Sequence, residues 1–153
     1  MTTKPAAPFI ILCDTREQKP PPFPEGVVLE RRKLDEADYT TPALIKVARI
    51  ERKGASDFAS TLTWGRERFD REVARLRPYR HKCVIVEADL SEIYREYSVH
   101  PHAILGSIAS FYARANMATF FAVNAAGCGR LIAGILRRLE EEVAKTATEG
   151  STA

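Results

Sequence analysis

Cys83-Val-Ile-Val-Glu87 is a short, unbroken apolar run that ends at a carboxylate. Such runs are typical of strands that are buried on both faces of a sheet. A helical pattern follows over residues 102–115, then a second short apolar run over 118–123 and a last helical pattern over 131–143. Strands that alternate with helices in this way are joined by right-handed crossovers. This half of the chain therefore predicts the parallel part of a sheet.

The first half of the chain supplies further strands. Phe9-Ile-Ile-Leu-Cys13 is another buried-strand pattern, and four prolines between Lys19 and Gly26 then predict a surface connection. We predict two more strands over residues 27–34 and 43–50, paired as an antiparallel hairpin across residues 35–42. The expected fold class is α/β, with a central mixed sheet and helices on both faces.

Two helices are predicted between these halves, over residues 56–63 and 66–77. In the second helix, Phe69, Val73 and Leu76 fall at positions i, i+4 and i+7 and form an apolar stripe. This stripe must face the sheet, so the helix turns its basic side chains outward. These outward side chains form a basic face that suits phosphate groups; they are Arg66, Arg68, Arg71 and Arg75.

Composition limits the class of protein. The chain has 153 residues, 45% of them hydrophobic, which is enough for one core and too little for two ordinary domains. We expect a single domain over residues 9–145 between disordered ends, 1–8 and 146–153. The net charge is only +3, but residues 46–82 hold eleven basic side chains against five acidic ones. Basic character is therefore concentrated in the middle of the chain.

The cysteines and the hydropathy pattern indicate a cellular compartment. Cys13, Cys83 and Cys128 are widely spaced and form no Cys-x-x-Cys pair, so neither a disulfide framework nor a zinc finger is indicated. No stretch has the length and apolarity of a signal peptide core or a membrane span. We expect a reduced, cytoplasmic location and no contact with a membrane.

Ile50-Glu51-Arg52-Lys53 carries the most informative chemistry. Alternation along a strand places Glu51 and Lys53 on the same face, so that a carboxylate and an ammonium group converge. With Asp38, these residues offer two oxygen ligands for a divalent cation and a positive charge beside the metal-bound water. Phosphodiester cleavage needs these parts. Glu-x-Lys alone also occurs on solvated strands, so the triplet needs support from other motifs.

Further motifs occur in a fixed order along the chain. They are Asp14-Thr-Arg-Glu17, Ala37-Asp38-Tyr39, Glu51-Arg-Lys-Gly-Ala-Ser-Asp57, Gly65-Arg66 and Arg75-Leu76. Together they resemble the nuclease domain of the XPF family of structure-specific endonucleases, whose pattern is D-x-R-E, G-D-Y, E-R-K-x-x-x-D, S-x-x-x-G-R and R-L. The resemblance extends from Phe9 to Leu139 and indicates a short, stand-alone form of that domain.

The resemblance implies a restriction-endonuclease-like three-layer α/β/α fold and a hydrolase that cleaves DNA with Mg²⁺ or Mn²⁺ near branches, flaps or junctions, in DNA repair or recombination. It assigns Asp38 and Glu51 as metal ligands and Lys53 as the cation that orients water. It adds Asp57 as a ligand or a support for one. The remaining residues that it implies at the site are Asp14 and Glu17, acids that flank the metal, and Arg16 and Arg52, which orient carboxylates or the scissile phosphate.

Two positions depart from the family pattern. Ala37 stands where the family has Gly before Asp38, and Gly54 stands where it often has Ser after Lys53. If the backbone at Ala37 needs a positive φ, the Ala side chain costs stability or shifts the Asp38 carboxylate. The acids and the lysine are all retained, which favours an active enzyme. The alternative is a non-catalytic DNA-binding or scaffold subunit with a degenerate nuclease fold.

Three other features have open interpretations. Trp64, at the entrance to the second helix, could be buried or could stack on a DNA base. His100 and His102 flank a proline at a helix start, where an exposed turn competes with a metal site. Gly127-Cys-Gly-Arg130 lacks the Lys-Ser/Thr of a P-loop and is most simply the start of the last helix.

The C-terminal helices carry a wide apolar surface for so small a domain. Its members are Ile104, Leu105, Ile108, Phe111 and Tyr112 in one helix and Leu131, Ile132, Ile135, Leu136, Leu139 and Val143 in the other. We expect a homodimer through these helices, as the resemblance also implies, unless both stripes simply pack on the sheet.

Overall fold

The computed structural model describes residues 6–151, which form six strands and five helices. The strands are β1 (Phe9–Cys13), β2 (Val27–Arg31), β3 (Tyr39–Thr40), β4 (Ala48–Gly54), β5 (His81–Glu87) and β6 (Ala118–Ala122). The helices are α1 (Ala55–Thr61), α2 (Arg66–Leu76), α3 (Leu90–Glu96), α4 (Pro101–Ala115) and α5 (Ala125–Gly150). The strands form one sheet in the order β2-β1-β3-β4-β5-β6.

The sheet is mixed, as the sequence predicted, because one short strand runs against the others. β3 is antiparallel to both of its neighbours, β1 and β4. The pairs β1–β2, β4–β5 and β5–β6 are parallel. Five of the six strands therefore end at the same edge of the sheet.

The predicted hairpin between residues 27–34 and 43–50 is wrong. β2 pairs with β1 in parallel, and β3 lies between β1 and β4. Residues 43–47 form turns, because the amides of Val47 and Ala48 donate to the carbonyl of Leu44 at 2.9 Å. Leu44 is fully buried in these turns, so its apolar character gave a strand signal that the backbone does not follow.

Helices cover both faces of the sheet, and alternation along β5 shows how. Val84 and Val86 contribute to a core shared with α1, α2, α3 and α4. Cys83 and Ile85 point the other way, into a core closed mainly by α5. The three-layer arrangement therefore follows from a strand that is apolar on both sides.

Two helices differ from the sequence prediction. α3 was not predicted, because Ile93 is its only fully buried residue and one apolar position gives no periodicity. α5 extends to Gly150, so residues 146–150 are helical where a disordered tail was expected. The hydroxyls of Thr146 and Thr148 donate to the carbonyls of Glu142 and Ala144 at 3.0 Å, which supports these last turns. Residues 1–5 and 152–153 of the predicted disordered ends lie outside the described residues.

The remaining sequence features have simple places in the fold. Residues 127–130 lie in the first turns of α5, where a Cβ on Gly129 would come within 1.9 Å of the Pro22 carbonyl oxygen. Glycine is therefore needed for the proline-rich connection to pack on α5. His100 caps α4 by accepting the His102 amide at 3.2 Å, in an exposed turn. Cys13, Cys83 and Cys128 are free and buried, and no helix in residues 6–151 is long and apolar enough to cross a membrane.

Candidate active site

A cavity of about 370 Å³ opens between α2, the loop before β3 and the middle of β4. Carboxylates reach it from all three of these elements: Asp38 from the loop, Glu51 from β4 and Glu72 from α2. Three arginines also line it, namely Arg16, Arg68 and Arg75. The cavity thus combines clustered acids with a basic surround, which suits a divalent cation and a phosphate group together.

Alternation along β4 brings Glu51 and Lys53 together, as the sequence predicted. The Lys53 Nζ lies 3.4 Å from Glu51 Oε1 and 3.6 Å from Glu72 Oε2. It also lies 4.8 Å from the centroid of the Phe69 ring, so the buried ammonium is held between two carboxylates and an aromatic face. The position of Lys53 is therefore fixed by three contacts.

The loop before β3 delivers Asp38 to the same place. Asp38 Oδ2 accepts the amide hydrogen of Arg52 at 2.8 Å, and its own amide donates to the Ile50 carbonyl at 3.0 Å. Ala37, the residue before it, has a φ of 61°. The left-handed conformation considered for this position is thus the one observed.

Burial and mutual repulsion favour protonation of the two central acids. Burial, followed by the charges of Glu17 and Asp14, raises the pKa of Asp38 to about 6, against the hydrogen bond from the Arg52 amide and the charge of Lys53. Burial, followed by the charge of Asp38, raises the pKa of Glu51 to about 8, although Lys53 opposes this rise. The two carboxylates therefore lack the positive charge that would let both ionise freely at neutral pH.

Comparison with known proteins gives the family. The model of the ERCC4 domain matches residues 9–135. This chain belongs to the ERCC4 domain family. A comparison with curated protein sequences gave no match.

Solved structures show the same fold. XPF from Aeropyrum pernix is 23% identical with a TM-score of 0.68, over 84% of this chain and 60% of that chain. The same protein in complex with DNA is 24% identical with a TM-score of 0.69, over 87% of this chain and 65% of that chain. The ERCC4 domain described here thus spans less than two thirds of each XPF chain and has the restriction-endonuclease-like α/β architecture that the sequence predicted.

Several residues that the resemblance placed at the site lie elsewhere in this ERCC4 domain. Asp14 is buried and accepts hydrogen bonds from the Arg16 side chain at 2.5 Å and the Leu34 amide at 2.8 Å. Burial alone would raise the pKa of Asp14, but these hydrogen bonds and that of the Arg16 amide hold it below its usual range. Asp14 therefore stabilises the loop and does not line the cavity.

Glu17 and Arg52 belong to a second cluster. Arg52 follows Glu51 on β4 and so points to the opposite face, where its guanidinium contacts Glu17 at 3.2 Å and Glu87 at 2.5 Å. The Tyr39 hydroxyl donates to Glu17 at 3.2 Å. This ion-pair cluster ties the loop after β1 to β3, β4 and β5, and only the backbone amide of Arg52 reaches Asp38.

Asp57 and Arg66 are also separate from the cavity. Asp57 lies in the first turn of α1 with an exposed side chain. Arg66 donates to the Ser107 hydroxyl at 3.1 Å, which ties α2 to α4. Neither residue lines the cavity.

Two of the other three basic side chains predicted on α2 line the cavity. Arg68 and Arg75 line the cavity and contact Glu72 at 3.5 Å and Glu36 at 2.9 Å, while Arg71 is exposed. Trp64, just before α2, is 86% exposed, which removes the alternative that it is buried and leaves stacking on a DNA base as a prediction.

Two acids that line the cavity were not predicted as site residues: Glu36, which contacts Arg75 at 2.9 Å, and Glu72. Glu72 lies next to Val73 in the apolar stripe of α2, so the helix carries its side chain toward the sheet. The signal available in the sequence was that this carboxylate directly precedes Val73, a member of the buried stripe.

The residues present fit an open magnesium site, in which the protein supplies only some of the ligands. Within residues 6–151, no three His, Cys, Asp or Glu side chains form a ready cage for a metal. Mg²⁺ is commonly held by one or two carboxylates, with water and substrate phosphate completing its six oxygens. Asp38 and Glu51 supply such a pair, because both line the cavity and the charge of Asp38 acts on Glu51.

Proposed function

We propose that this ERCC4 domain is a DNA endonuclease that hydrolyses phosphodiester bonds with Mg²⁺ or Mn²⁺ at branched, flap or junction DNA. The observation that carries this proposal is the convergence of Asp38 and Glu51 in a cavity lined by arginines, with the Lys53 ammonium buried 3.4 Å from Glu51. The family and the fold shared with an XPF that was solved in complex with DNA support it.

Each residue has a distinct role in the proposed reaction. Asp38 and Glu51 would hold the cation, which supplies charge to stabilise the phosphate and to acidify a water molecule. Lys53 directs its ammonium group toward the attacking water and the developing negative charge. Glu72 fixes Lys53 from the side of α2, 3.6 Å away. Arg16, Arg68 and Arg75 hold the DNA phosphates at the cavity.

Trp64 supports a preference for DNA with unpaired bases. A duplex offers no free base faces away from its ends, whereas a flap or a single-strand junction does. The exposed Trp64 ring lies just before the basic helix α2, where it could stack on such a base. The site therefore suits a junction between single- and double-stranded DNA.

Cleavage assays with labelled flap, fork, junction and plain duplex DNA test the proposal. We expect cleavage of the branched substrates with Mg²⁺ or Mn²⁺ and none with a chelator. Binding of DNA without cleavage under any metal condition would instead support the non-catalytic DNA-binding or scaffold subunit. Equal cleavage of duplex and branched DNA would remove only the proposed preference for branches.

We further propose a homodimer through the C-terminal part of the chain. α5 presents an apolar groove formed by Leu131, Ile135 and Leu139, and Val123 after the edge strand β6 is 73% exposed. Ile104 and Phe111 of α4 lie in the core, so only the exposed Leu105 and Tyr112 remain available from that helix. Sedimentation at micromolar concentration should show a dimer, and a Leu131→Glu variant should shift it to a monomer. A monomeric wild type would remove the dimer without affecting the nuclease.

The proposed function also implies a location. An enzyme that acts on DNA and keeps three buried free thiols suits a reduced compartment that contains DNA, such as the nucleoid.

A further inference from the structure

A second cavity, of about 490 Å³, lies on the other side of the loop that joins β2 to β3. Residues 36–38 of this loop line the active-site cavity, and residues 32–35 line the second one. The second cavity has the opposite electrical character. Four basic side chains line it, namely Arg32, Lys33, Lys46 and Arg49, and Asp35 is its one acidic lining residue.

Arg49 is the unusual member of this group. It is only 3% exposed, and it lies on β4 two residues before Glu51, on the same face of the strand. Its Nη1 donates to the carbonyls of Ile45 at 2.6 Å and Ala48 at 2.9 Å, and its guanidinium lies 4.3 Å from the centroid of the Tyr79 ring. These contacts orient the guanidinium but neutralise none of its charge.

Within the described chain the charge of Arg49 is compensated only at a distance, by Asp35 and Glu36. No carboxylate of residues 6–151 forms an ion pair with Arg49, and its Nε is buried without a hydrogen-bond partner. A buried cation without a contacting anion is destabilising relative to a paired one. An anion in the adjoining cavity would supply both the missing charge and the missing acceptor.

We propose that this cavity is a phosphate-binding site separate from the active site, with Arg49 at its base and Arg32, Lys33 and Lys46 around it. A guanidinium group suits phosphate oxygens because its N–H groups match their geometry. The three outer residues are exposed and can follow the phosphate as it enters. The phosphate can belong to a DNA strand that crosses both cavities or to a free phosphomonoester, and the experiment separates these sources.

The test uses two triple variants of the full chain. The site variant is Arg32→Gln/Lys33→Gln/Lys46→Gln, which leaves the buried Arg49 in place so that folding is retained. The matched control is Arg95→Gln/Arg114→Gln/Arg130→Gln, which removes three exposed charges that do not line this cavity. An Arg49→Met variant tests the base of the site. All measurements are made with a chelator present, so that they do not depend on DNA cleavage.

Inorganic phosphate is the first probe and a short labelled duplex is the second. We expect millimolar phosphate to raise the unfolding temperature of the wild type and of the control, and to have little effect on the site variant or on Arg49→Met. If the phosphate belongs to DNA, the site variant should also bind the duplex about tenfold more weakly than the control at equal salt. A lost phosphate response with unchanged DNA affinity would support a free phosphomonoester as the source. A site variant that matches the control with both probes would overturn the proposal.

Discussion

Ala37 adopts a φ of 61° directly before Asp38, whose Oδ2 accepts the Arg52 amide hydrogen at 2.8 Å. A residue with a Cβ pays about 1 kcal/mol or more for this left-handed conformation. This conformation directs the following residue, Asp38, into the cavity between β4 and α2. The aspartate position is thus maintained by a strained alanine.

Replacing Ala37 with Gly should relieve this strain. We expect Ala37→Gly to change the free energy of unfolding by no more than about 1 kcal/mol, in the stabilising direction, because the relief exceeds the added entropy of the unfolded chain. Chemical denaturation measures this change. A loss of more than about 1 kcal/mol would show that the Ala37 methyl group contributes packing that outweighs the strain.

Glu51 should oppose the stability of the metal-free protein at alkaline pH. Its pKa is raised from the ordinary value of 4.5 to about 8, first by burial. Between these two values the folded protein binds more protons than the unfolded chain, so the free energy of unfolding falls as the pH rises through this window. Glu51→Gln removes this effect.

We therefore expect Glu51→Gln to be more stable than the wild type by up to about 5 kcal/mol at pH 9, and the difference to vanish near pH 4. Denaturation at several pH values without metal measures it. A variant that is less stable than the wild type at alkaline pH would return Glu51 to a structural role.

The exposed arginines of α2 should bind DNA phosphates. Arg71→Gln combined with Arg68→Gln should weaken binding equally for all sequences. The slope of log affinity against log salt should become shallower by about two, the loss expected for two phosphate contacts. Anisotropy titrations at several salt concentrations measure this slope. The matched control, Arg95→Gln combined with Arg114→Gln, should leave the slope unchanged. If the α2 variant also leaves it unchanged, these arginines serve ion pairs such as Arg68–Glu72 instead.

Trp64 should contribute to DNA binding and not to folding. Because its side chain is 86% exposed, Trp64→Ala should leave the unfolding temperature nearly unchanged. It should weaken binding to flap DNA by about 1 kcal/mol or more, and binding to plain duplex much less. An equal loss for both substrates would argue against stacking on an unpaired base.

The elements with strong apolar patterns were predictable from the sequence. β1, β5 and α2 lie where the runs and the stripe placed them, because burial dictated both the pattern and the structure. β3 was not predictable, because two residues carry no periodicity. Because β3 was not predicted, β2 and β4 were expected to pair as neighbours, whereas β1 and β3 lie between them in the sheet.

Only part of the candidate site could be predicted from the sequence, for a related reason. Alternation along β4 placed Glu51 and Lys53 together, since that spacing is local. It also implies that Arg52 points the opposite way, toward Glu17 and Glu87, although the family motif groups it with its neighbours. Glu72 reaches the site through the packing of α2 on the sheet, a tertiary relationship that spacing along the chain does not encode.

Single-turnover cleavage of labelled flap DNA by the wild type, Glu51→Gln and Glu67→Gln tests the central claim most directly. Glu67 is an exposed acid of α2 outside the cavity, so its variant is the matched control. We predict that the wild type and Glu67→Gln cleave with Mg²⁺ and stop with a chelator, and that folded Glu51→Gln is slower by about a hundredfold or more. Cleavage by Glu51→Gln at the rate of the wild type, or no cleavage by the wild type with either Mg²⁺ or Mn²⁺, would contradict the proposed active site.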